Sequence, residues 1–490
     1  MKPSELFKKE FIATIEEQLL KGSLEDTDGT VEYVDALQFL TSNRIDLVPK
    51  IYYIECREKK SGFNFAKELY CEHIKSITNG QLTEVWDSEK SGLEAYLKRF
   101  DELIDDIKEN GFDEKKSVVP VGQDNGIIDG AHRTAIAIYF GLKLPIFRLN
   151  VNSWKNNYKS FMCEDRVKIP EKYMDFIAYQ YMKYKSPCYM AIIWPISFNH
   201  PNYSIAIKLL NEYCNVVYSK RVLFNYNGLM QLAMHNYLDS DWAGGFEKNF
   251  CGIPGVTNER YAKSSDTTVL LLDGGSLEKI QELKKIIRIV LGEGFCRIHI
   301  SDTHDEAIRM GKMLFNENSI HFLNHSYMLR YPEFISEFLK FREVVLEHKL
   351  QEDVCIDTGG VMAAYGLRKS DDIDYLSVDD FVIPGYDGHN QTYYQACGSE
   401  LLIDDIVYGW FNHFYCFDIM FSAIDVVRKF KKTRAEEKDY RDIALIDAMQ
   451  TDCPYEQRYQ ASLEKKIRFT KRVKNKLRRL LSKVYHFFKR

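Results

Sequence analysis

At 490 residues, with 45% hydrophobic, 28% charged and 13% aromatic side chains, the chain is too long for one core, predicts two to four domains and excludes disorder as the default. Eleven cysteines without a C-x-x-C pair predict buried thiols in a reducing compartment and exclude a disulfide framework or a structural zinc. The net charge of −5 conceals an asymmetry: Lys465 to Arg490 holds twelve Lys or Arg and no acid, leaving 54 bases against 71 acids, and a body this acidic (near −17) excludes general nucleic-acid binding.

The N-terminal MKPSELFKKEFIATIEEQLL mixes acids and bases through its apolar positions, so it predicts no secretory signal. The longest apolar run, YMAIIWPISF, is short and broken by Pro195, which predicts no spanning helix and a chain kept in the cytoplasm. Residues 1–170 read as a first domain. Helical patterns dominate up to Asn110, with one strand-like run, LVPKIYYIE, after Asp46. A βαβ-like piece follows: strand SVVPVG, a turn at Gln123 to Gly126, strand IID, helix AHRTAIAIYFG and strand PIFRLNV.

In that piece Asp129-Gly130-Ala131-His132-Arg133-Thr134 sits at a strand-to-helix junction. Unpaired N–H groups and the positive end of the helix, joined by His132, Arg133 and the Thr134 hydroxyl, predict an anion pocket for phosphate. The plainer alternative has Asp129 capping the helix and pairing with Arg133 while His132 packs below. Over 117–151 the D-G-x-H-R segment and its flanking strands resemble the ParB/sulfiredoxin superfamily, whose members include nucleotide-binding switches, a sulfinic acid reductase and free-serine kinases. Sulfiredoxins carry Cys directly before His-Arg, where this chain has Ala131, so the reductase chemistry is excluded. What the resemblance implies is nucleotide or phosphate binding, with a kinase-like activity if Asp129 or an upstream acid serves as base.

Residues 185–335 read as a second α/β domain of unassigned role, with strands at MAIIWP, NVVYSK, TTVLLLD and CRIHI. Helices are expected at SIAIKLLNEY, SLEKIQELKKIIRIVLG and HDEAIRMGKMLFN. His299, Ser301, Asp302, Thr303, His304 and Asp305 cluster after the last strand; this is either a helix N-cap with acids in its first turn or a metal site lacking a third ligand. Trp194-Pro195 and Trp242-Ala243-Gly244-Gly245 are candidates for a sugar or base platform, with buried aromatics as the alternative.

Residues 336–455 read as a third domain, in which DVCIDTGG, VMAAYGLRKS and DDIDYL predict strand, Gly-Gly turn, short helix and second strand. Alternate strand residues share a face, so Asp372 and Asp374 point together with Ile373 inward. Carboxylates so placed repel one another unless a divalent cation joins them, Mg2+ or Mn2+ with all-oxygen ligands. Gly359 and Gly360 let backbone N–H groups approach a phosphate. A solvated acidic turn is the alternative.

The Gly-Gly, gap and Asp-hydrophobic-Asp series resembles the Pol-β-like nucleotidyltransferase superfamily, in particular its minimal members. The stretch FSAIDVVRKFKKTRAEEKDYRDIALI, with Lys429, Arg434, Lys438, Asp439 and Asp442, is similar to the charged helical segment of those proteins. The resemblance implies Asp372 and Asp374 as metal ligands, Gly359 and Gly360 around a triphosphate, and Arg368 or Lys438 offsetting charge. It also implies a third catalytic carboxylate on a later strand, for which Asp404, Asp405 and Asp418 are available and Asp405 is favoured.

The tail, 456–490, carries Val473, Leu477, Leu480, Leu481, Val484 and Phe488 on one helical face among Lys and Arg. That pattern predicts a helix on the anionic inner face of the cytoplasmic membrane, a nucleic-acid arm or a partner helix being the alternatives. The whole reads as an α/β (α+β) multidomain transferase of bacterial capsule or lipopolysaccharide biosynthesis, an impression of overall arrangement that no single motif carries. Its expected partners are a nucleoside triphosphate or nucleotide-activated donor, a sugar or glycan acceptor that is lipid-linked in one version, and the membrane surface, with no nucleic acid. A metal-dependent glycosyltransferase using a nucleotide sugar and a non-catalytic nucleotide-sensing protein are the competing readings; a toxin-type transferase modifying tRNA or protein fits the acidic body poorly.

Overall fold

The computed structural model describes all residues except 21–23, 25–26, 85–86, 114–116, 154–166, 263–265, 293, 295, 380 and 452–490. The protein is a mixed α/β chain with several small sheets, and it divides into two compact units, Met1–Ile320 and His321–Arg490. The expected first domain and most of the second therefore fall within one unit. The basic tail lies outside the described residues. Among the described residues no helix is long and apolar enough to cross a membrane.

The N-terminal unit carries β1 (Glu32–Asp35), a short ladder of β2 (Thr83–Glu84) with β3 (Asp87–Ser91), then β4 (Val119–Val121) and β5 (Lys143–Arg148). β1, β4 and β5 form a sheet in the order β1-β5-β4, with β5 antiparallel to β1 and parallel to β4, and β2 and β3 pair apart from it. The expected strand IID contributes a single bridge, Val121 to Ile127. The run LVPKIYYIE is not a strand but part of the helix Val48–Lys59. Pro49 sits in the first turn, where its missing N–H has no intrahelical partner to lose. Packing of that helix against Phe63–Ile77 and Ala131–Phe140 buries Val48, Ile51, Tyr52, Tyr53 and Ile54 around much of its circumference. A helix buried on several sides shows the continuous apolar run of a buried strand, and this is why the sequence misleads.

A second sheet in this unit is wholly antiparallel: β6 (Cys188–Ile193), β7 (Asn215–Val222), β8 (Thr267–Asp273) and β9 (Ile298–Ile300), in the order β7-β8-β6-β9. The central strands CYMAII and TTVLLLD are buried along their whole length, consistent with apolar residues on both faces. Tyr189, Ala191, Ile193, Leu270 and Leu272 face the helices Tyr203–Tyr213 and Leu277–Val290 through Leu210, Ile280, Leu283 and Ile287. All three expected helices of this stretch are present.

The C-terminal unit holds β10 (Val354–Ile356), β11 (Asp374–Ser377), β12 (Asp387–His389), β13 (His413–Cys416) and β14 (Ile419–Ser422), in the order β12-β11-β10-β14-β13. β10 runs antiparallel to β11 and parallel to β14. The end of β10, the start of β11 and the end of β14 therefore share one edge, where Asp357 N–H donates to the Asp374 carbonyl (2.9 Å). The stretch carrying Asp404 and Asp405 is a helix, Ile403–Tyr408, rather than the expected strand. Ile403, Ile406 and Val407 recur at helical spacing and are buried, while the two acids occupy the first turn, where the helix dipole favours them.

Candidate functional site

The sheet edge of the C-terminal unit opens on a cavity of about 450 Å3. Asp371, Asp372 and Asp374 line it with Thr358 and Gly359, and Arg368, Lys431, Arg434, Lys438 and Arg441 bring cations to the same cavity, the last four from the region Lys431 to Arg441. These come from the helices Ile424–Arg434 and Glu437–Thr451, which follow β14 and pack on each other.

Gly359 and Gly360 form the first turn of the helix Thr358–Ala364 rather than a turn preceding it. Their lack of a side chain is a matter of space: a Cβ on Gly359 would lie 2.5 Å from Ser370 Oγ, and one on Gly360 2.5 Å from Ile356 Cγ2. The left-handed backbone falls instead on Thr358, with φ of 40°, a costly conformation for a β-branched residue. Its hydroxyl donates to Asp374 Oδ2 (3.0 Å) and holds that carboxylate toward the cavity.

Asp374 begins β11, while Asp372 lies in the bend before it, exposed and accepting from Ser370 Oγ at 3.3 Å. Burial pushes the Asp374 carboxyl above its usual range, with Asp372 and Asp357 adding to the rise against the opposing His389 and Thr358. Asp357 is fully buried beneath; its Oδ2 accepts from Tyr394 (2.7 Å) and its Oδ1 has no hydrogen-bond partner. Among the described residues no group of three His, Cys, Asp or Glu is arranged to hold a metal ion. The pair Asp372 and Asp374 suits an ion such as Mg2+ that arrives with phosphate and water as its other ligands, better than one caged by protein.

The cationic wall is itself built on carboxylates. Lys431, 1% exposed, lies 2.7 Å from Asp442 and 3.4 Å from Asp439. Arg434 grips Asp439 with Nε and Nη2 (3.0 and 2.8 Å), and Arg368 grips Asp442 in the same way (2.7 and 3.0 Å). Burial opposes ionisation of Asp439, but the hydrogen bonds from Arg434 and the charge on Lys431 outweigh it and hold the carboxyl below the usual range. The predicted Arg368, Lys438, Asp372, Asp374 and Gly359 thus meet in one cavity, while Asp439 and Asp442 act as its framework. Lys438 is largely exposed and lies 3.4 Å from Glu436.

Asp404, Asp405 and Asp418 are not among the lining residues. The Asp405 carbonyl accepts from Asn412 and Gly409 behind its own helix. Asp418 lies in the β13–β14 turn, at the opposite end of β14 from Asp374, and pairs with Arg342 at 3.2 Å. Sequence reasoning missed His389, whose Nε2 is 4.0 Å from Asp374 Oδ1 and whose ring stacks on Tyr393 at 4.0 Å. The Tyr393 hydroxyl in turn accepts from Arg434 (3.3 Å), so Asp374 and Arg434 are linked through two aromatic rings. The one signal available was an aromatic pair and an Asn N-cap directly after His389, in HNQTYYQA.

At the other predicted site, in the N-terminal unit, the residues are held by protein partners. Arg133 donates to the Val118 carbonyl (2.9 Å) and to Asp129 (3.2 Å), and His132 Nε2 bonds the Tyr70 hydroxyl (2.8 Å) with its ring edge-on to Phe100. Thr134 is fully buried and donates to the Gly130 carbonyl, which turns its hydroxyl away from the expected anion pocket. Gly130 itself is the N-cap, with φ of 90°, so Asp129 does not cap this helix. In the second sheet His299 bonds Glu306 while His304 Nδ1 accepts from Cys188 N–H, so the two histidines have separate partners.

Compared with known proteins, the chain matches no protein-family model, no curated protein and no solved structure.

Proposed function

We propose that the C-terminal unit is a nucleotidyltransferase-like domain that binds a nucleoside triphosphate with Mg2+ or Mn2+ and transfers a nucleotidyl or phosphoryl group. The observation that carries this reading is one cavity lined both by Asp372 and Asp374 and by Arg368, Lys438 and Arg441. A triphosphate–metal complex is itself bipolar, and a site that offers both carboxylates and cations complements both of its parts. Asp372 and Asp374 would hold the ion, which when bound neutralises charge on the phosphoryl oxygens and orients the reacting group. Thr358 fixes Asp374, Gly359 lines the cavity beside it while Gly360 packs behind on Ile356, and Arg368 and Lys438 would face the charge that develops on the phosphates.

Within this reading the acceptor is a sugar or glycan of a bacterial surface polysaccharide, and the basic tail would keep the protein at the inner face of the membrane. Non-catalytic nucleotide sensing is the second reading. It is favoured by the position of Asp404, Asp405 and Asp418 outside the cavity lining, which leaves Asp372 and Asp374 without the third carboxylate the family resemblance implies.

The test is calorimetric titration of the full chain with ATP, CTP, GTP, UTP and nucleotide sugars, with and without Mg2+, repeated on Asp374→Asn. Mg2+-dependent triphosphate binding that disappears in the variant is expected, followed by turnover on adding an acceptor. Binding without turnover on any acceptor selects the sensing reading, and binding of nucleotide sugars alone selects a glycosyltransferase. Binding that survives Asp374→Asn removes the cavity from the function.

A further inference from the structure

The second sheet of the N-terminal unit holds a buried cation that the nucleotide reading does not use. Arg260 closes the helix Ile253–Arg260 and is 5% exposed. A guanidinium stays charged at any working pH, and a buried charge is strongly disfavoured unless an opposite charge and hydrogen-bond acceptors meet it. Among the described residues Arg260 makes no ion pair: Nη2 donates to the Tyr237 hydroxyl (3.0 Å), and Nε and Nη1 have no partner. Its guanidinium carbon lies 4.5 Å from the centroid of the Trp194 ring and 5.0 Å from that of Tyr237. The rings fix the plane of the group and attract its charge but cannot accept from its in-plane N–H bonds.

The surroundings add donors and positive charge. Trp194 is fully buried, and its Nε1–H is likewise without a partner. Burial pushes Arg288 below the usual arginine range and the charge on Arg260 adds to that shift, the effect of cations brought together. The carboxylates nearby are already engaged: Glu306 by His299 Nε2 (2.9 Å) and the Asp302 N–H (2.6 Å), and Asp302, which acts on Arg288, by Lys284 (3.0 Å). Tyr237 also packs against Trp242, 47% exposed, so the cluster reaches the surface there.

We propose that this locus binds a compact oxyanion, a phosphoryl or carboxylate group, on the unpartnered N–H bonds of Arg260. The aromatic clamp orients the guanidinium edge, and the bound anion supplies the counter-charge that the fold does not. Neither tryptophan is then a mere core filler: Trp194 holds the arginine, and Trp242 flanks Tyr237 on the solvent side.

The experiment is hydrogen–deuterium exchange of the full chain in sodium phosphate, sodium acetate and sodium chloride at equal ionic strength. Phosphate or acetate at about ten times its Kd is expected to slow exchange about ten-fold relative to chloride in peptides covering 253–261 and 298–306. Protection by phosphate alone assigns a phosphoryl ligand, and protection by acetate alone a carboxylate. The effect should vanish in Arg260→Met and persist in Asp374→Asn, which separates it from anion binding in the C-terminal cavity. Equal exchange in all three salts, protection confined to the C-terminal unit, or protection that survives Arg260→Met overturns the proposal. The wild-type exchange map decides by itself if Arg260→Met does not fold.

Discussion

The two strand-to-helix junctions at 129–134 and 357–374 draw on the same kinds of residue, an acid, glycine, a hydroxyl and arginine, yet they distribute them in opposite ways. At the first, Arg133 ends on Asp129 and the Val118 carbonyl, His132 on Tyr70, and Thr134 on its own helix. At the second, Asp372 and Asp374 face a cavity, and three of the cations that line it, Lys431, Arg434 and Arg368, are matched with other acids, Asp439 and Asp442. A polar group satisfied within the fold stabilises it. One held short of its partner by a rigid frame retains binding capacity, at some cost in stability.

The sharpest way to break this comparison is through the frame. Lys431→Met leaves Asp439 and Asp442 buried without their shared cation, and we expect a loss of about 3–5 kcal/mol in urea unfolding. A change below about 1 kcal/mol, typical of exposed pairs such as Lys340 with Glu337, would mean the lattice is not a frame. Arg133→Met should cost about 2 kcal/mol through the unmet Val118 carbonyl while leaving nucleotide affinity unchanged. Loss of nucleotide binding in this variant would restore the 129–134 turn as a ligand site.

The two regions of the C-terminal cavity should also separate with pH. Asp374 is raised by burial, so its ionised form is the disfavoured one; stability falls as pH rises from the ordinary carboxylate value toward the raised one. Metal–nucleotide binding needs that ionised form and should weaken about ten-fold, or about 1.4 kcal/mol, for each pH unit below the raised value. Asp439 is held below 3.8, so its contribution is present above that value and is lost as pH falls through the lowered one. Titration calorimetry and unfolding over the same pH series should therefore show binding lost before the fold. The smallest effect is expected for His132→Phe, about 1 kcal/mol in unfolding, since the ring contact with Phe100 survives and one hydrogen bond to Tyr70 is lost.

Much of the fold was legible from local pattern. The runs CYMAII and TTVLLLD are strands because central strands are apolar on both faces, and SLEKIQELKKIIRIV is a helix because Ile280, Leu283 and Ile287 recur at helical spacing. The Gly-Gly and Asp-x-Asp signals likewise located one wall of the cavity. LVPKIYYIE was misread because a helix buried on several sides loses its polar stripe, and LLIDDIVY because a six-residue helix offers too few turns for its period to show.

The sequence by itself determined the buried central strands and amphipathic helices of the second sheet, and that Asp372 and Asp374 are near neighbours, because both follow from the spacing of neighbouring residues. Only the tertiary structure decided which distant groups they meet. The parallel pairing of β11 with β12 brings His389 beside Asp374, and the helices after β14 bring Arg434 and Lys438 to the same edge. Such pairings depend on strand order and on helix packing, which no local period encodes, and the fate of each charge depends on the partner those pairings deliver.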